Sequence, residues 1–416
     1  MHELVLCHNL VAAKEPLDYR NDCNSRNDAH DEGFKCKIVA GGQNKKSCNS
    51  VVIEKGIDDN NKKKPLVITD RGVIDYKLFE PLKSEFEKNS ISYVLFDKVV
   101  PNPTTAVVEE ALSLYKENNC DSLIAIGGGS SMDTAKAVGA RIANPKKSLK
   151  QMKGILKVIH KIPLLIAIPT TAGTGSEATL AAVVVDGDTR DKYAINDFPL
   201  IPRYAVLDPS YTLTLPPSLT ATTGIDALTH AIEAYIGKSS FKLTRREAKV
   251  AIRLIFNNIE KAYMDGTNKQ ARFSMSKAAY LAGCAFTRSY VGYVHALSHA
   301  LSGKYNTPHG LANAVMLPYV LEEYGKSVYP KLRKLAICIG IADELDDEKT
   351  ASLRFIDEVK KLNARLNIPT TLEIKEEDIP SLVNHAYKEA HPLYPTPELW
   401  NKERMAKVYR RVMKKE

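Results

Sequence analysis

The hydrophobic period of the sequence changes near residue 215. Before this point, short apolar runs rich in β-branched residues alternate with amphipathic stretches such as TTAVVEEALSLYKENN. Near-continuous apolar strands separated by helical patterns are typical of a parallel, doubly wound sheet. The runs that predict its strands are residues 66–69, 92–96, 122–126, 164–168, 182–186 and 204–208.

Beyond the segment LPPSLTATT, long stretches with a period of about 3.6 residues replace the strand pattern. KLTRREAKVAIRLIFNNIEKAY and DEKTASLRFIDEVKKLNARL are two of them. Amphipathic helices of this kind bury their apolar faces against one another. We therefore predict an α/β domain over residues 34–214, an all-α domain over 215–416 and a polar N-terminal extension over 1–33.

Composition narrows the class of protein. At 416 residues with 44% hydrophobic side chains, the chain can form two domains with buried cores. Lysines spread along the chain give the net charge of +9, and the basic runs at 62–64 and 410–415 lack the interleaved aromatic residues of a nucleic-acid platform. No apolar run approaches the roughly 20 residues of a membrane helix. Seven cysteines without a secretion pattern indicate free thiols and a cytoplasmic location.

Four residues could together complete a metal site. Asp226 and His230 stand four residues apart in TTGIDALTHAIEAY, which puts both side chains on one helix face. His295 lies on an apolar helical stretch, and His309 follows a proline where another helix is predicted to begin. Three imidazoles and one carboxylate suit zinc or iron better than calcium or magnesium. A single such histidine is more often a hydrogen-bonded core residue, but an aspartate in the same apolar stretch favours a metal.

A glycine-rich loop follows the strand predicted at 122–126. In GGGSSMDTAKAVG, the glycines let the backbone approach a ligand, and the N-terminus of the next helix favours a phosphate. Ser130 or Ser131 is expected to cap that helix. The loop is neither G-x-G-x-x-G nor the P-loop of ATPases, so phosphoryl transfer is not supported. Taken alone, the loop could also be a tight turn that needs glycine for packing.

A second polar loop, IPTTAGTGSEAT, offers the hydroxyls of Thr170, Thr171 and Thr174. Two such loops at the carboxyl ends of strands in one sheet indicate an extended ligand such as a dinucleotide. Asp70, at the end of the strand predicted at 66–69, can accept both ribose hydroxyls of an adenosine and would repel a 2′-phosphate, which favours NAD over NADP. An aspartate here is also ordinary turn chemistry, so this assignment depends on the two loops.

These segments resemble the iron-containing (group III) alcohol dehydrogenase family. GGGSSMDTAKAVG, PNPT at 101–104 and PTTAGTGSE are similar to its cofactor contacts, and GIDALTHAIEAY and GYVHALSHALSGKYNTPHGLANA are similar to its two signature segments. The likeness spans roughly residues 60–395, including HPLYP near the C-terminus. The N-terminal FKCKIVAGGQN is only a loose counterpart of the first strand of the family.

The resemblance implies a site and an activity. The metal ligands of the family fall on Asp226, His230, His295 and His309, with Fe(II) as the implied ion and Zn(II) as the alternative. Its NAD contacts fall on Asp70, Asn102, Gly128, Gly129, Ser130, Asp133, Thr170, Thr171, Thr174 and Lys192. His299 matches a histidine that points into the site without binding metal, and we expect it to relay a proton. The implied reaction interconverts a small primary alcohol or diol and its aldehyde, with hydride transfer to or from NAD(H).

Three other interpretations stay open. A zinc-dependent polyol dehydrogenase would use the same ligands. A dehydroquinate-synthase-like cyclase would share the architecture, but it needs several lysines and arginines around a phosphorylated polyanion, whereas PHGLANA resembles the dehydrogenases. A non-catalytic protein would hold a structural metal in a closed sphere of four ligands. The sequence names neither the alcohol nor the oligomeric state, although members of the family are often dimers.

Overall fold

The computed structural model describes residues 37–39, 48–187, 189 and 191–414. The predicted extension at 1–33, with Cys7 and Cys23, lies outside the described residues. The described part of the chain divides into two compact units: unit 1 runs up to Ile168 and includes Leu180–Asp208, and unit 2 comprises Pro169–Thr179 and the residues from Pro209 onward. Unit 2 thus begins at Pro209 and takes in the loop Pro169–Thr179, whereas the predicted domain bounds left this loop with the sheet.

Unit 1 contains the strands of the described residues, apart from the terminal Pro169 of the sixth. They are β1 (Lys37–Val39), β2 (Pro65–Asp70), β3 (Val94–Val99), β4 (Ser122–Gly127), β5 (Gly154–Ile155), β6 (Leu164–Pro169), β7 (Ala181–Val185), β8 (Lys192–Asn196) and β9 (Tyr204–Val206). Six of them form a sheet in the order β1-β9-β6-β4-β2-β3. Strand β2 pairs in parallel with β3 and β4, and β9 pairs in parallel with β1 and β6. Every residue of β4 is buried, as expected for a parallel strand covered on both faces.

The remaining strands, β5, β8 and β7, form a separate three-stranded sheet. Strand β7 pairs with β8 in the antiparallel sense, from Ala181 opposite Asn196 to Val185 opposite Lys192. The prediction that residues 182–186 belong to the parallel sheet is therefore wrong. Only alternate residues of β7, Ala182 and Val184, are buried, which is the pattern of a strand with one covered face.

Helices alternate with the parallel strands of unit 1. They are α1 (Cys48–Val51), α2 (Arg71–Asp75), α3 (Glu80–Lys88), α4 (Thr105–Glu117) and α5 (Gly129–Ala143). Helix α5 follows β4 directly and buries most of its residues, and its apolar side chains belong to one core with those of β2, β3 and β4. This β-α alternation confirms the predicted α/β class, and it leaves the carboxyl ends of β2 and β4 at one edge of the sheet.

Unit 2 is helical. Its helices are α6 (Pro217–Ile236), α7 (Lys242–Met264), α8 (Lys269–Ser289), α9 (Tyr293–Tyr305), α10 (His309–Tyr324), α11 (Tyr329–Cys338), α12 (Glu348–Arg365), α13 (Ile379–Ala390) and α14 (Lys402–Val412). From Gly224 to Ile236 every residue of α6 is buried, so α6 lies at the centre of the unit. Helix α10 begins at His309, directly after Pro308, as predicted. Among the described residues, no helix combines the length and the apolar run that a membrane span needs.

Candidate metal centre and cofactor loops

Asp226, His230, His295 and His309 converge in unit 2, although they come from the three helices α6, α9 and α10. One ligand atom of each lies within 4.8 Å of those of the other three. Asp226 Oδ1 is 3.5 Å from His309 Nε2, 3.8 Å from His295 Nε2 and 4.0 Å from His230 Nδ1. The donors around a tetrahedral ion with bonds of about 2.1 Å stand about 3.4 Å apart. The spacing therefore fits one divalent ion.

Two of the histidine donors are in the neutral form that a metal requires. Burial lowers the pKa of His230 and, together with the neighbouring histidines, lowers the pKa of His295 well below its usual value. Both rings are therefore neutral near pH 7, which is the form that binds metals. The buried Nδ1 of His230 has no hydrogen-bond partner in the described part of the chain. A cation would satisfy both this nitrogen and the buried carboxylate of Asp226.

A buried carboxylate that the sequence analysis missed lies behind His295. Glu233 Oε2 is 2.5 Å from His295 Nδ1, and the Glu233 carboxylate also accepts the backbone N–H groups of Gly292 and Val294 at 2.8 and 2.7 Å. Burial raises the pKa of Glu233 to about 8, against the effect of these hydrogen bonds. A cation on the far side of His295 would lower this pKa again. The sequence signal was its position three residues after His230, on the same helix face.

Asn313 is a second missed residue, and it faces the ligand atoms directly. Its Nδ2 is 2.7 Å from Asp226 Oδ1, 3.2 Å from His295 Nε2 and 3.1 Å from His309 Nε2. The amide NH₂ group has two hydrogens, so it can donate to at most two of these three atoms, and a ring nitrogen accepts only where it carries no proton. Asn313 follows His309 by four residues on α10, a spacing that places both on one face of that helix.

His299 lies beside the donor cluster, one turn beyond His295 on α9. Its ring stacks on that of His309 with 5.0 Å between centroids. His299 Nδ1 is 2.6 Å from Glu389 Oε1, and the same oxygen accepts the hydroxyl of Tyr394 at 2.6 Å. Burial raises the pKa of Glu389, but the charge of His299 and the hydrogen bonds from His299 and Tyr394 outweigh it, so the pKa lies below its usual value. Sequence reasoning could not find this pair, because Glu389 is 90 residues from His299.

The glycine-rich loop lies at the carboxyl edge of the parallel sheet in unit 1. Gly127 has φ +148, and a side chain there would meet Ser131 Oγ at 2.3 Å and Asp70 Oδ2 at 3.0 Å. Asp70 Oδ1 accepts the N–H of Val73 at the start of α2, and Asp70 Oδ2 accepts the Ser131 hydroxyl at 3.2 Å. The predicted cap is wrong, because Gly128 occupies the N-cap of α5 without a side-chain hydrogen bond. The N-cap of this helix therefore has no side chain that could accept the first-turn N–H groups.

Two of the other predicted cofactor residues of unit 1 contact each other, and a third makes a structural hydrogen bond to the backbone. Lys192 Nζ donates to Asn102 Oδ1 at 2.7 Å, and both residues are exposed. Asp133 Oδ2 instead accepts the backbone N–H of Val183 at 3.2 Å and so connects α5 to β7. Gly128, Gly129 and Ser130 are half-buried at the start of α5.

The threonines of the second polar loop belong to unit 2. Thr170 is buried, and Thr174 Oγ1 accepts the N–H of Ser176 at 3.2 Å. Gly175, with φ +61, packs so closely on helix α8 that a side chain there would lie 2.8 Å from the Cα of Gly283. This close approach explains why the loop clusters with the helices. The structure thus groups the predicted cofactor residues into two sets, one in each unit.

A parallel sheet with a glycine-rich loop in unit 1, and three histidines that converge with one aspartate in unit 2, form the arrangement expected of a metal-dependent dehydrogenase. Two family models match the chain: iron-containing alcohol dehydrogenase over residues 51–209, and the C-terminal part of the Fe-containing alcohol dehydrogenase family over residues 220–413. Alcohol dehydrogenase 4 of Saccharomyces cerevisiae is 38% identical over 362 residues, which cover 85% of this chain and 92% of the relative.

Solved structures agree with these matches. A crystal structure of a 1,3-propanediol oxidoreductase has a TM-score of 0.85 at 33% identity. The match covers 88% of this chain and 96% of the oxidoreductase. A sulfoacetaldehyde reductase from Bifidobacterium kashiwanohense, in complex with NAD+, has a TM-score of 0.80 at 25% identity. The match covers 92% of this chain and 98% of the reductase. The chain belongs to the iron-containing alcohol dehydrogenase family. It is an oxidoreductase that interconverts an alcohol and its aldehyde.

Proposed function

We propose that the protein uses Fe(II) and NAD(H) to interconvert a small primary alcohol or diol and its aldehyde. The observation that carries the proposal is the convergence of Asp226, His230, His295 and His309 on a space the size of one ion. Zn(II) is the alternative ion, because both metals accept imidazole and carboxylate ligands. When bound, the metal supplies Lewis-acid stabilisation of charge on the substrate oxygen, and the nicotinamide donates or accepts the hydride.

The donor cluster is closed on one side and open on the other, which supports a catalytic and not a structural role. The side chains of Asp226 and His295 are 3% and 2% exposed, whereas those of His309 and His299 are 32% and 36% exposed. A structural site is closed by four protein ligands, and a catalytic site keeps one side open for substrate. We infer that substrate approaches from the side of His309 and His299.

His299 would exchange the proton of the substrate hydroxyl with solvent. Its Nδ1 is held by Glu389, so Nε2 is the nitrogen that can accept or donate a proton. The hydroxyl of Tyr394 donates to the same Glu389 oxygen, which holds the carboxylate in place and so restricts the rotation of the His299 ring. A histidine suits this task because its ordinary pKa lies near neutrality, where it can act in both directions.

For the dinucleotide, we propose that the glycine-rich loop holds the pyrophosphate and Asp70 holds the adenosine ribose. Glycines at 127–129 leave the N-terminus of α5 accessible to an anion, and that helix end favours negative charge. Asp70 lies beside this loop through its contact with Ser131, and its charge disfavours the 2′-phosphate of NADP. Asn102, Asp133, Lys192, Thr170, Thr171 and Thr174 stay predicted cofactor contacts.

Substrate class, location and assembly complete the proposal. The structural relative named 1,3-propanediol oxidoreductase supports a diol among the substrates. The described cysteines Cys48, Cys120, Cys284 and Cys338 are free thiols, which fits the cytoplasmic location predicted from the sequence. A homodimeric assembly can be tested by light scattering.

The test of the proposed function is NADH oxidation followed at 340 nm with chelator-stripped protein and butanal, with Fe(II) or Zn(II) added anaerobically. We expect loss of NADH only when metal is present, faster with Fe(II) than with Zn(II), and slower when NADPH replaces NADH. Faster turnover with Zn(II) would favour the zinc-dependent alternative. Absence of turnover with either metal, with diols and ketones included as substrates, would contradict the proposal.

A further inference from the structure

We propose that Glu233 is a positioning residue that fixes the tautomer and orientation of His295, so that Nε2 of this ring is presented to the metal. The inference rests on the proposed metal site, because it assigns a role to a residue behind one of the four donors. Glu233 does not itself reach the donor cluster; it acts through His295.

The contacts of the Glu233 carboxylate show that it acts as an acceptor. Oε2 faces His295 Nδ1 at 2.5 Å and accepts the N–H of Gly292 at 2.8 Å, and Oε1 accepts the N–H of Val294 at 2.7 Å. Two backbone N–H donors and one ring nitrogen thus surround the two oxygens in a site where Glu233 is 3% exposed. In its ionised form, which a cation on the far side of His295 favours, the Glu233 carboxylate holds the His295 proton on Nδ1 and leaves Nε2 unprotonated.

Asn313 supports the same tautomer from the other side of the ring. Its amide nitrogen is 3.2 Å from His295 Nε2 and also contacts Asp226 Oδ1 at 2.7 Å. An amide nitrogen can only donate, so this contact is favourable when Nε2 carries no proton. The contacts on the two ring nitrogens therefore agree with a His295 proton on Nδ1.

Glu233 also sets where the His295 ring stands. Gly292 is the N-cap of α9 and has no side-chain cap. The carboxylate of Glu233 on α6 instead accepts the N–H of Gly292 and that of Val294 in the first turn. An anion is favourable at a helix N-terminus. A side chain at position 292 would lie 2.8 Å from Glu233 Oε1, so the packing leaves no room for displacement. The same carboxylate thus locates α9 against α6 and orients a ring carried by α9.

Glu233→Gln separates the positioning role from simple capping. The glutamine oxygen can still accept one backbone N–H, but its NH₂ group would donate to His295 Nδ1 and shift the ring proton to Nε2. A protonated Nε2 cannot bind a metal. A residue that only capped α9 would change stability and leave metal affinity unaltered. Glu389→Gln is the matched control, because it makes the same change behind His299, which is not one of the four donors.

The experiment titrates Co(II) into the metal-stripped full chain against a competing chelator and records the visible spectrum, which reports ligand number and geometry. We expect Glu233→Gln to weaken Co(II) binding about 10- to 100-fold, the usual effect of removing such a partner, and to lower the intensity of the bands. Wild type and Glu389→Gln should bind Co(II) equally. NADH binding, measured by fluorescence, should be the same in all three proteins.

Unaltered Co(II) affinity in folded Glu233→Gln would overturn the inference while leaving the metal site intact. Failure of the wild type to bind Co(II) would instead contradict the proposed function itself. Should Glu233→Gln show no cooperative thermal transition, Glu233→Asp replaces it, since its carboxylate is shorter by one methylene and cannot keep the 2.5 Å contact. Co(II) affinity at least tenfold below wild type would support the inference, and unchanged affinity would contradict it.

Discussion

The donor cluster of unit 2 and the glycine-rich loop of unit 1 are built on different principles. The metal donors project from helices α6, α9 and α10, and buried side chains such as Glu233 and Asn313 orient them. The loop at the end of β4 offers almost no side chains; its shape comes from the backbone, above all from Gly127 at φ +148. A metal needs fixed side-chain atoms, whereas a pyrophosphate needs exposed backbone N–H groups.

This difference makes the two regions separable by mutation. Substitutions among the donors or behind them should alter metal binding and leave dinucleotide binding unaltered. Substitutions in the loop should do the reverse. The variants His309→Ala, Gly127→Ala and Asp70→Asn test this separation, because a dependence of one region on the other would change both kinds of binding.

The largest effect is expected from His309→Ala. This side chain is 32% exposed, so its removal should leave unit 2 folded while it removes one of the four donors. We expect the metal to be lost on dialysis and alcohol oxidation to fall by roughly 10³-fold or more, because several kcal/mol of transition-state stabilisation are lost. NADH affinity should stay within twofold of wild type. Retained activity and metal content would refute the four-donor site.

Gly127→Ala tests the loop. Alanine at φ +148 is strained, and its Cβ would meet Ser131 Oγ at 2.3 Å, so we expect a stability loss of about 1–3 kcal/mol and weaker NADH binding. Co(II) affinity should be unaltered. Gly303→Ala on α9 is the control, because a Cβ there meets nothing within 4 Å. Thermal unfolding of both variants measures the stability loss, and NADH titration by fluorescence measures the change in affinity. Equal NADH affinity in the two variants would contradict the assigned role of the loop.

Asp70→Asn should have a smaller and more selective effect. Asparagine can still cap α2 by accepting the N–H of Val73, but it removes the charge that faces a 2′-phosphate. We expect the preference for NAD over NADP in kcat/KM to fall about tenfold, which corresponds to roughly 1.4 kcal/mol. The Tm and Co(II) affinity should stay as in wild type. An unchanged NAD preference would show that another residue discriminates the two cofactors.

The smallest effect concerns pH. Burial raises the pKa of Glu233 from its usual 4.5 to about 8 in the metal-free chain, so the folded state holds this proton more tightly than the unfolded state. The resulting stability is fully present below pH 4.5 and is lost as the pH rises through 8. We expect the metal-free wild type to lose more stability between pH 5 and 8 than Glu233→Gln, as measured by urea unfolding. Identical pH slopes would exclude this titration.

The sequence allowed the cluster of four candidate metal donors to be predicted, because helical spacing brings suitable atom types onto one face. Asp226 and His230 are four residues apart, and His295 and His309 lie in similarly apolar stretches. The partners that orient them were not predictable in the same way. Glu233 reaches its ring across 62 residues of sequence and Glu389 across 90, and only the packing of helices brings these groups together.

The pairing partners of the strands were also only partly predictable from the sequence. Residues 66–69 and 122–126 were placed correctly because fully buried parallel strands form continuous apolar runs. The run at 182–186 is equally apolar, yet β7 is antiparallel and lies in the second sheet. Small apolar residues such as Ala181 fill both the covered and the open face of this strand, so its sequence lacks the polar alternation that would have distinguished it.

The central claim is that Asp226, His230, His295 and His309 hold one catalytic divalent ion. X-ray absorption at the metal edge of the anaerobically reconstituted full chain, with metal content measured on the same sample, tests it most directly. The account predicts one ion per chain, only nitrogen and oxygen ligands, imidazole scattering from three rings, and loss of the ion in His309→Ala. Sulfur ligands, absence of imidazole scattering, or full metal content in His309→Ala would contradict it.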